Sequence, residues 1–201
     1  MSDSKARAPL DRAARERERL KRHLLVAAAL REALSDDPIV VGGTAEEYWT
    51  AAEYHPTDLD LCAALTEEDR SALRRLGFRK RGRHWQHPRI QVAVEFPDAR
   101  IDGDESRTAE VNLGIGQALV IGLEDLYVDR LTQSNSHEQE GIEFQSALAV
   151  VAAAHDQIDW TYVRSRLKAV AKSDPALGEH LRRNDARIRR RVRRALTEFD
   201  G

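Results

Sequence analysis

Two stretches decide the fold: Ile39-Val40-Val41-Gly42-Gly43-Thr44-Ala45 and, beginning sixteen residues after Gly42, Asp58-Leu59-Asp60-Leu61-Cys62. In the first, three β-branched residues run into a glycine pair. That pattern predicts a short buried strand ending in a tight turn. Thr44 is placed to cap a helix over 45–53, with Glu47 three residues later completing a capping box. His55-Pro56-Thr57 ends that helix. The second stretch alternates with period two and predicts a strand. Leu59 and Leu61 then face the core, while Asp58 and Asp60 share the opposite face.

On the N-terminal side, residues 11–34 predict one long helix of good helix formers, stopped by Ser35-Asp36-Asp37-Pro38; residues 1–10 are expected to fray. On the C-terminal side, Thr66-Glu67-Glu68-Asp69 starts a helix that Gly77 ends, with Leu73 and Leu76 as core positions. Residues 78–84 and 89–96 predict a strand pair turned near His87-Pro88. A loop follows at 98–106. A hairpin is expected from 109–113 and 118–121. From Leu123 onward the pattern is helical, over about 123–133, 143–155, 159–172 and 177–198, with breaks at Gly141, Ile158-Asp159 and Ser173-Asp174-Pro175. The expected organisation is an N-terminal helix (1–37), an α/β core (38–122) and a helical C-terminal region (123–201). Short strands mixed with hairpins make this an α/β (α+β) chain with a mixed sheet, not a purely parallel one.

Composition narrows the function. The chain has 201 residues, enough for a real core, with 41% hydrophobic and 33% charged residues. Aromatics are only 5%, which argues against a large stacking platform for single-stranded nucleic acid. An apolar run such as Leu24–Leu30 is far short of the roughly 20 residues that span a bilayer. The charged N-terminus lacks a secretory pattern. Cys62 is the only cysteine, which excludes an intramolecular disulfide framework and a cysteine-based zinc cluster. A cytoplasmic location without membrane contact is expected. Net charge is −2, yet it is unevenly spread. Residues 38–159 hold 11 basic and 22 acidic side chains, and residues 160–201 hold 12 basic and 5 acidic. The basic end, rich in arginine from Arg182 to Arg194, either neutralises the acidic middle or faces RNA.

The chemistry lies in the carboxylates. Asp58 and Asp60, side by side on one strand face, repel unless a cation sits between them. Mg²⁺ suits one or two carboxylates together with substrate phosphates. The glycine turn opening a helix brings bare backbone N–H groups to a ligand, which suits phosphates. In Ile90-Gln91-Val92-Ala93-Val94-Glu95-Phe96, Glu95 falls on the less apolar face; if this strand lies beside that of Asp58, Glu95 joins the two aspartates. Taken singly, each feature also fits a plain structural role: a solvated strand edge, a tight turn, an exposed strand residue.

Taken together, Gly42-Gly43-Thr44-Ala45, Thr57-Asp58-Leu59-Asp60-Leu61 and the later strand with one acid resemble the DNA polymerase β-type nucleotidyltransferase superfamily. Within it, the chain is most similar to small prokaryotic members with a Gly-Gly-Thr-Ala signature, a group that includes toxin components of toxin–antitoxin and abortive-infection systems. The superfamily pattern usually has Gly-Ser where this chain has Gly43-Thr44, so the hydroxyl is kept. The segment from Gly122 to Leu131 is similar to the helix after the sheet, with Arg130 matching a basic residue that faces the nucleotide, often a lysine. The resemblance covers about residues 38–170. It implies a nucleotidyltransferase fold, with Mg²⁺ or Mn²⁺ held by Asp58, Asp60 and Glu95 and the β/γ-phosphates of a nucleoside triphosphate at Gly42, Gly43 and Thr44. It also implies Glu95 near the acceptor hydroxyl. A nucleoside monophosphate would pass to RNA (a tRNA end, for example), a protein or a small molecule, and an antitoxin would be a partner. The alternative is a non-catalytic nucleotide- or RNA-binding module that keeps the fold.

Other residues read as structural. His137 and Glu140 lie in a turn-rich stretch and are expected in a loop. Trp85, between His84 and His87, is expected to pack on the sheet, and one of Tyr48 and Trp49 to enter the core. Cys62 reads as a small buried hydrophobe.

Overall fold

The computed structural model describes residues 3–51, 56–134 and 141–199. The chain divides into two compact units: Met1–Tyr48 with Ala52–Gly122, and Trp49–Ala51 with Leu123–Gly201.

The first unit opens with two helices, α1 (Asp3–Ala13) and α2 (Arg19–Ala33), where the sequence predicts one, and α1 already covers most of the stretch expected to fray. The break has a local cause. The Glu16 carboxylate accepts the backbone N–H groups of Arg17 at 2.9 Å and Glu18 at 3.2 Å, offering the chain an alternative to helical pairing. All of Leu24–Leu30 is buried. A helix apolar all round must be enclosed, and α2 is packed by α1, α4 (Glu67–Arg75), β1 (Ile39–Val40) and β7 (Gln117–Val120).

The first sequence stretch forms β1 and then α3 (Gly42–Thr50). Gly42 takes φ +63°, a left-handed conformation that favours glycine. The predicted capping box does not form, because α3 begins before Thr44 and both side chains are used by α2. Thr44 Oγ1 lies 2.9 Å from His23 Nδ1, and Glu47 Oε1 accepts from Arg19 Nη2 at 2.9 Å. Tyr48 and Trp49 are both half-buried, so neither is a core residue. Residues 52–53 of the expected helix, and His55, lie outside the described residues.

The second stretch forms β2 (Leu59–Cys62), with Leu59 and Leu61 fully buried and Cys62 buried beside them. Thr66 caps α4 through a complete capping box with Asp69. Burial alone would raise the Asp69 carboxyl pKa, but hydrogen bonds from Thr66 and Ser35 outweigh it and hold the carboxyl below its ordinary value. The next segment departs from expectation: three strands replace two. Gly82-Arg83, with Gly82 at φ +59°, forms a two-residue loop between β3 (Arg79–Arg81) and β4 (His84–His87). A second turn leads to β5 (Val92–Glu95). A short 3-10 turn (Glu105–Arg107) precedes the expected hairpin of β6 (Ala109–Asn112) and β7.

The seven strands form one sheet in the order β3-β4-β5-β2-β1-β7-β6. β2 pairs with β5 in parallel and β1 with β7 in parallel, while the other neighbours are antiparallel, so the sheet is mixed. Trp85, Val92, Val94, Leu59 and Leu61 are all buried, which leaves the alternate residues of β2, β4 and β5 on the other face.

The second unit is helical: α5 (Leu123–Gln133), α6 (Ile142–Ala154), a 3-10 turn (His155–Gln157), α7 (Trp160–Ser173) and α8 (Pro175–Phe199). Asp159 caps α7 by accepting the N–H groups of Thr161 and Tyr162. The buried Tyr127 hydroxyl donates to Asp185 Oδ1 at 2.9 Å, and Arg189 closes on the other oxygen at 2.9 Å. Leu181, Asp185, Ile188 and Val192 form the buried stripe of α8, while Arg182, Arg183, Arg190 and Arg193 are exposed. Among the described residues no helix is long and apolar enough to cross a membrane. His137 and Glu140 lie outside the described residues.

Candidate functional site

The site is built by strand register. β2 and β5 run parallel with Asp60 beside Glu95 and Leu59 beside Val94. β4 runs antiparallel to β5 with Trp85 beside Val94. The same register carries His84 alongside Glu95, and β3 adds Arg81 beside His84. Residues paired across strands share a face, and alternation along each strand fixes which one. Asp58, Asp60, Glu95 and His84 therefore stand on the face opposite the buried Leu59, Leu61, Val94 and Trp85.

Three of these side chains converge. One ligand atom each from Asp58, His84 and Glu95 lies within 4.8 Å of the others. His84 Nε2 is 3.6 Å from Asp58 Oδ2 and 3.3 Å from Glu95 Oε2. Their side chains are 29%, 26% and 15% exposed respectively, shielded by the fold yet open to an incoming ion. Arg83 Nε reaches Glu95 Oε2 at 3.0 Å from an exposed position. Such a pair is weak and gives way to a better cation. Two carboxylates and an imidazole, from β4, β5 and the residue that leads into β2, fit a divalent cation; oxygen ligands suit Mg²⁺ and Mn²⁺, and imidazole favours first-row transition metals.

The expected site residues divide as follows. Asp58 and Glu95 belong to the cluster. Asp60 shares the face, and its carboxylate lies against the glycine turn: a methyl group on Gly42 would collide with Asp60 Oδ2. The glycine thus serves twice, in its left-handed φ and in this close approach. Gly43 follows in the first turn of α3, half-buried. Thr44 is only 1% exposed, with its hydroxyl on His23. Arg130, on α5 in the second unit, donates to Gln133 Oε1 at 3.0 Å and lies 3.9 Å from Asp129.

Sequence reasoning missed His84, His23 and Arg83. Burial, then the charges of Arg22 and Arg19, push the His23 pKa down to about 4 against the opposing pull of Asp58. The ring is neutral at pH 7 and braces Thr44 from α2. Its signal, a histidine at the head of the Leu24–Leu30 run, was available. His84 became legible only with the correct hairpin, since recognising Gly82-Arg83 as a two-residue loop sets His84 beside Glu95.

No protein-family model matches the chain, and no curated protein matches it. Among solved structures, the chain is similar to an antigenic nucleotidyltransferase-like protein from Paracoccidioides brasiliensis at 14% identity, over 90% of this chain and 93% of that one, with a TM-score of 0.49.

Proposed function

We propose that the chain is a metal-dependent nucleotidyltransferase. The observation that carries this reading is the convergence of Asp58, Glu95 and His84, with Asp60 on the same sheet face against the Gly42 turn. The donor is a nucleoside triphosphate, its β/γ-phosphates received by the backbone of Gly42 and Gly43 at the start of α3, where N–H groups are available to an anion. Thr44, braced by His23, stiffens that turn. Arg130 enters as a nucleotide contact on the resemblance alone. Asp58, Glu95 and His84, with Asp60 on the same face, would hold Mg²⁺ or Mn²⁺, which would supply Lewis-acid stabilisation of the charge that develops on the phosphoryl oxygens.

The acceptor hydroxyl oxygen attacks the α-phosphorus. The bond from that phosphorus to the β-bridging oxygen breaks and pyrophosphate leaves. Glu95 receives the hydroxyl proton. Positioning and charge stabilisation account for most of the rate. A toxin role with an antitoxin partner and a cytoplasmic setting belong to the same proposal.

The test is release of pyrophosphate from a mixture of the four nucleoside triphosphates with Mg²⁺ or Mn²⁺ and cell RNA. Asp60→Asn is expected to lower the rate by about 10²–10³-fold, the scale of losing one electrostatic stabiliser. Its metal-free melting temperature should hold or rise, because a like charge has been removed. Near-normal release by this variant would overturn the catalytic reading.

A further inference from the structure

The polar sheet face does not end at the acids. Two cross-strand rows continue it. One runs Asp60, Glu95, His84, Arg81, and the other sets Arg79 beside Gln86 and Gln86 beside Ala93. An open groove of about 370 Å³ lies over the second row, with Thr57, Arg79, Arg81, Gln86, Gln91 and Ala93 in its lining. Thr57 precedes Asp58 in the chain, and Ala93 sits two residues before Glu95 on the same face, so the groove adjoins the candidate metal site. At two strand spacings, the Arg81 backbone is about 10 Å from that of Glu95. Extended arginine side chains cover much of that gap.

The face therefore grades from carboxylate to guanidinium within four strands. Basic residues on an edge strand also deter strand-to-strand aggregation. That purpose needs only charge at the edge. It does not require two arginines and an amide to line a groove beside an acidic cluster. We infer that this groove binds the phosphodiester backbone of a polynucleotide acceptor, holding its terminal hydroxyl toward Glu95. The inference rests on the transferase reading and names its acceptor class. Arg79 and Arg81, both exposed in the groove's lining, present more positive charge than a single phosphodiester calls for, and a strand supplies a run of phosphates. The groove volume has room for about one nucleotide. Arginine forks suit phosphate oxygens, and Gln86 adds neutral donors and acceptors.

The test uses the full chain without nucleotide, with fluorescent single-stranded RNA and DNA oligonucleotides bearing a free 3′ hydroxyl, followed by anisotropy across a salt series. Arg79→Ala with Arg81→Ala should weaken binding by at least about tenfold, the value of a lost charged hydrogen bond. The salt slope should flatten by about 1.4, or 0.7 per lost phosphate contact. Mn²⁺ affinity, measured by paramagnetic resonance, should be unchanged and reports an intact neighbouring site. Arg79→Lys with Arg81→Lys should restore most of the slope. The RNA and DNA arms identify which strand is preferred. Unchanged oligonucleotide affinity and slope in the alanine variant would overturn the inference. So would equal competition by a polyglutamate peptide, which would make the groove a site for acidic protein. Oligonucleotide binding at the groove without nucleotide transfer would refute the transferase reading and leave the groove standing. Transfer to another acceptor with no oligonucleotide binding would do the reverse.

Discussion

His23 should make the stability of the first unit depend on pH. It is 2% exposed on α2, with Nδ1 2.9 Å from Thr44 Oγ1, and its pKa is lowered from 6.5 to about 4. Between those two values the unfolded chain takes up a proton that the folded chain refuses. The His23 contribution is therefore complete above pH 6.5, falls as pH falls, and is gone below pH 4. The full gap corresponds to about 3 kcal/mol, and about 2 kcal/mol of it is lost by pH 5. His23→Asn keeps a polar group near Thr44 but cannot titrate. Urea unfolding of both proteins at pH 7.5, 6.5, 5.5 and 5 gives the comparison. His87, also lowered by burial, and Asp69, lowered despite it, are common to both proteins and cancel in the difference. Wild type should lose about 2 kcal/mol more than the variant between pH 7.5 and pH 5. Parallel pH profiles would refute a buried neutral His23.

Gly42→Ala should cost about 1–2 kcal/mol from its left-handed φ, plus the collision with Asp60, whereas Gly82→Ala, with a similar φ and open space around it, should cost only the backbone part; equal melting temperatures for the two variants would refute the close approach. His84→Ala should weaken Mn²⁺ or Zn²⁺ binding by about tenfold or more while changing Mg²⁺ binding less, because imidazole favours the former ions; calorimetric titration of each metal checks it. Asp185→Ala should destabilise the helical unit by about 2–3 kcal/mol, since it strands the buried Tyr127 hydroxyl, and Tyr127→Phe in the same background should recover part of the loss in chemical denaturation.

Much of this was legible from the sequence where one local pattern dominates. Period-two alternation put Leu59 and Leu61 inside and Asp58 and Asp60 outside. The β6–β7 hairpin and the four C-terminal helices follow from turn residues and helical spacing, and Thr66 announced its own capping box. The misses came where a distant partner outbid a local one. Thr44 and Glu47 have the right spacing to cap α3, but His23 and Arg19 of α2 take them. Nothing in the helix-forming stretch 11–34 signals that the Glu16 carboxylate will capture two backbone amides. Gly82-Arg83, lodged in a basic run, was absorbed into a longer strand. Without that two-residue loop the register that brings His84 beside Glu95 stays hidden, and with it the candidate nitrogen ligand.

The central claim is that the acidic face transfers a nucleotide to an acceptor. It is tested most directly by incubating the protein with each nucleoside triphosphate labelled at the α-phosphate, together with total cell RNA and protein, with and without Mn²⁺ or Mg²⁺. Covalent label on one acceptor, dependent on metal and lost in a folded Asp60→Asn variant, is the predicted result. No label on any acceptor, or equal labelling by wild type and Asp60→Asn, would contradict it.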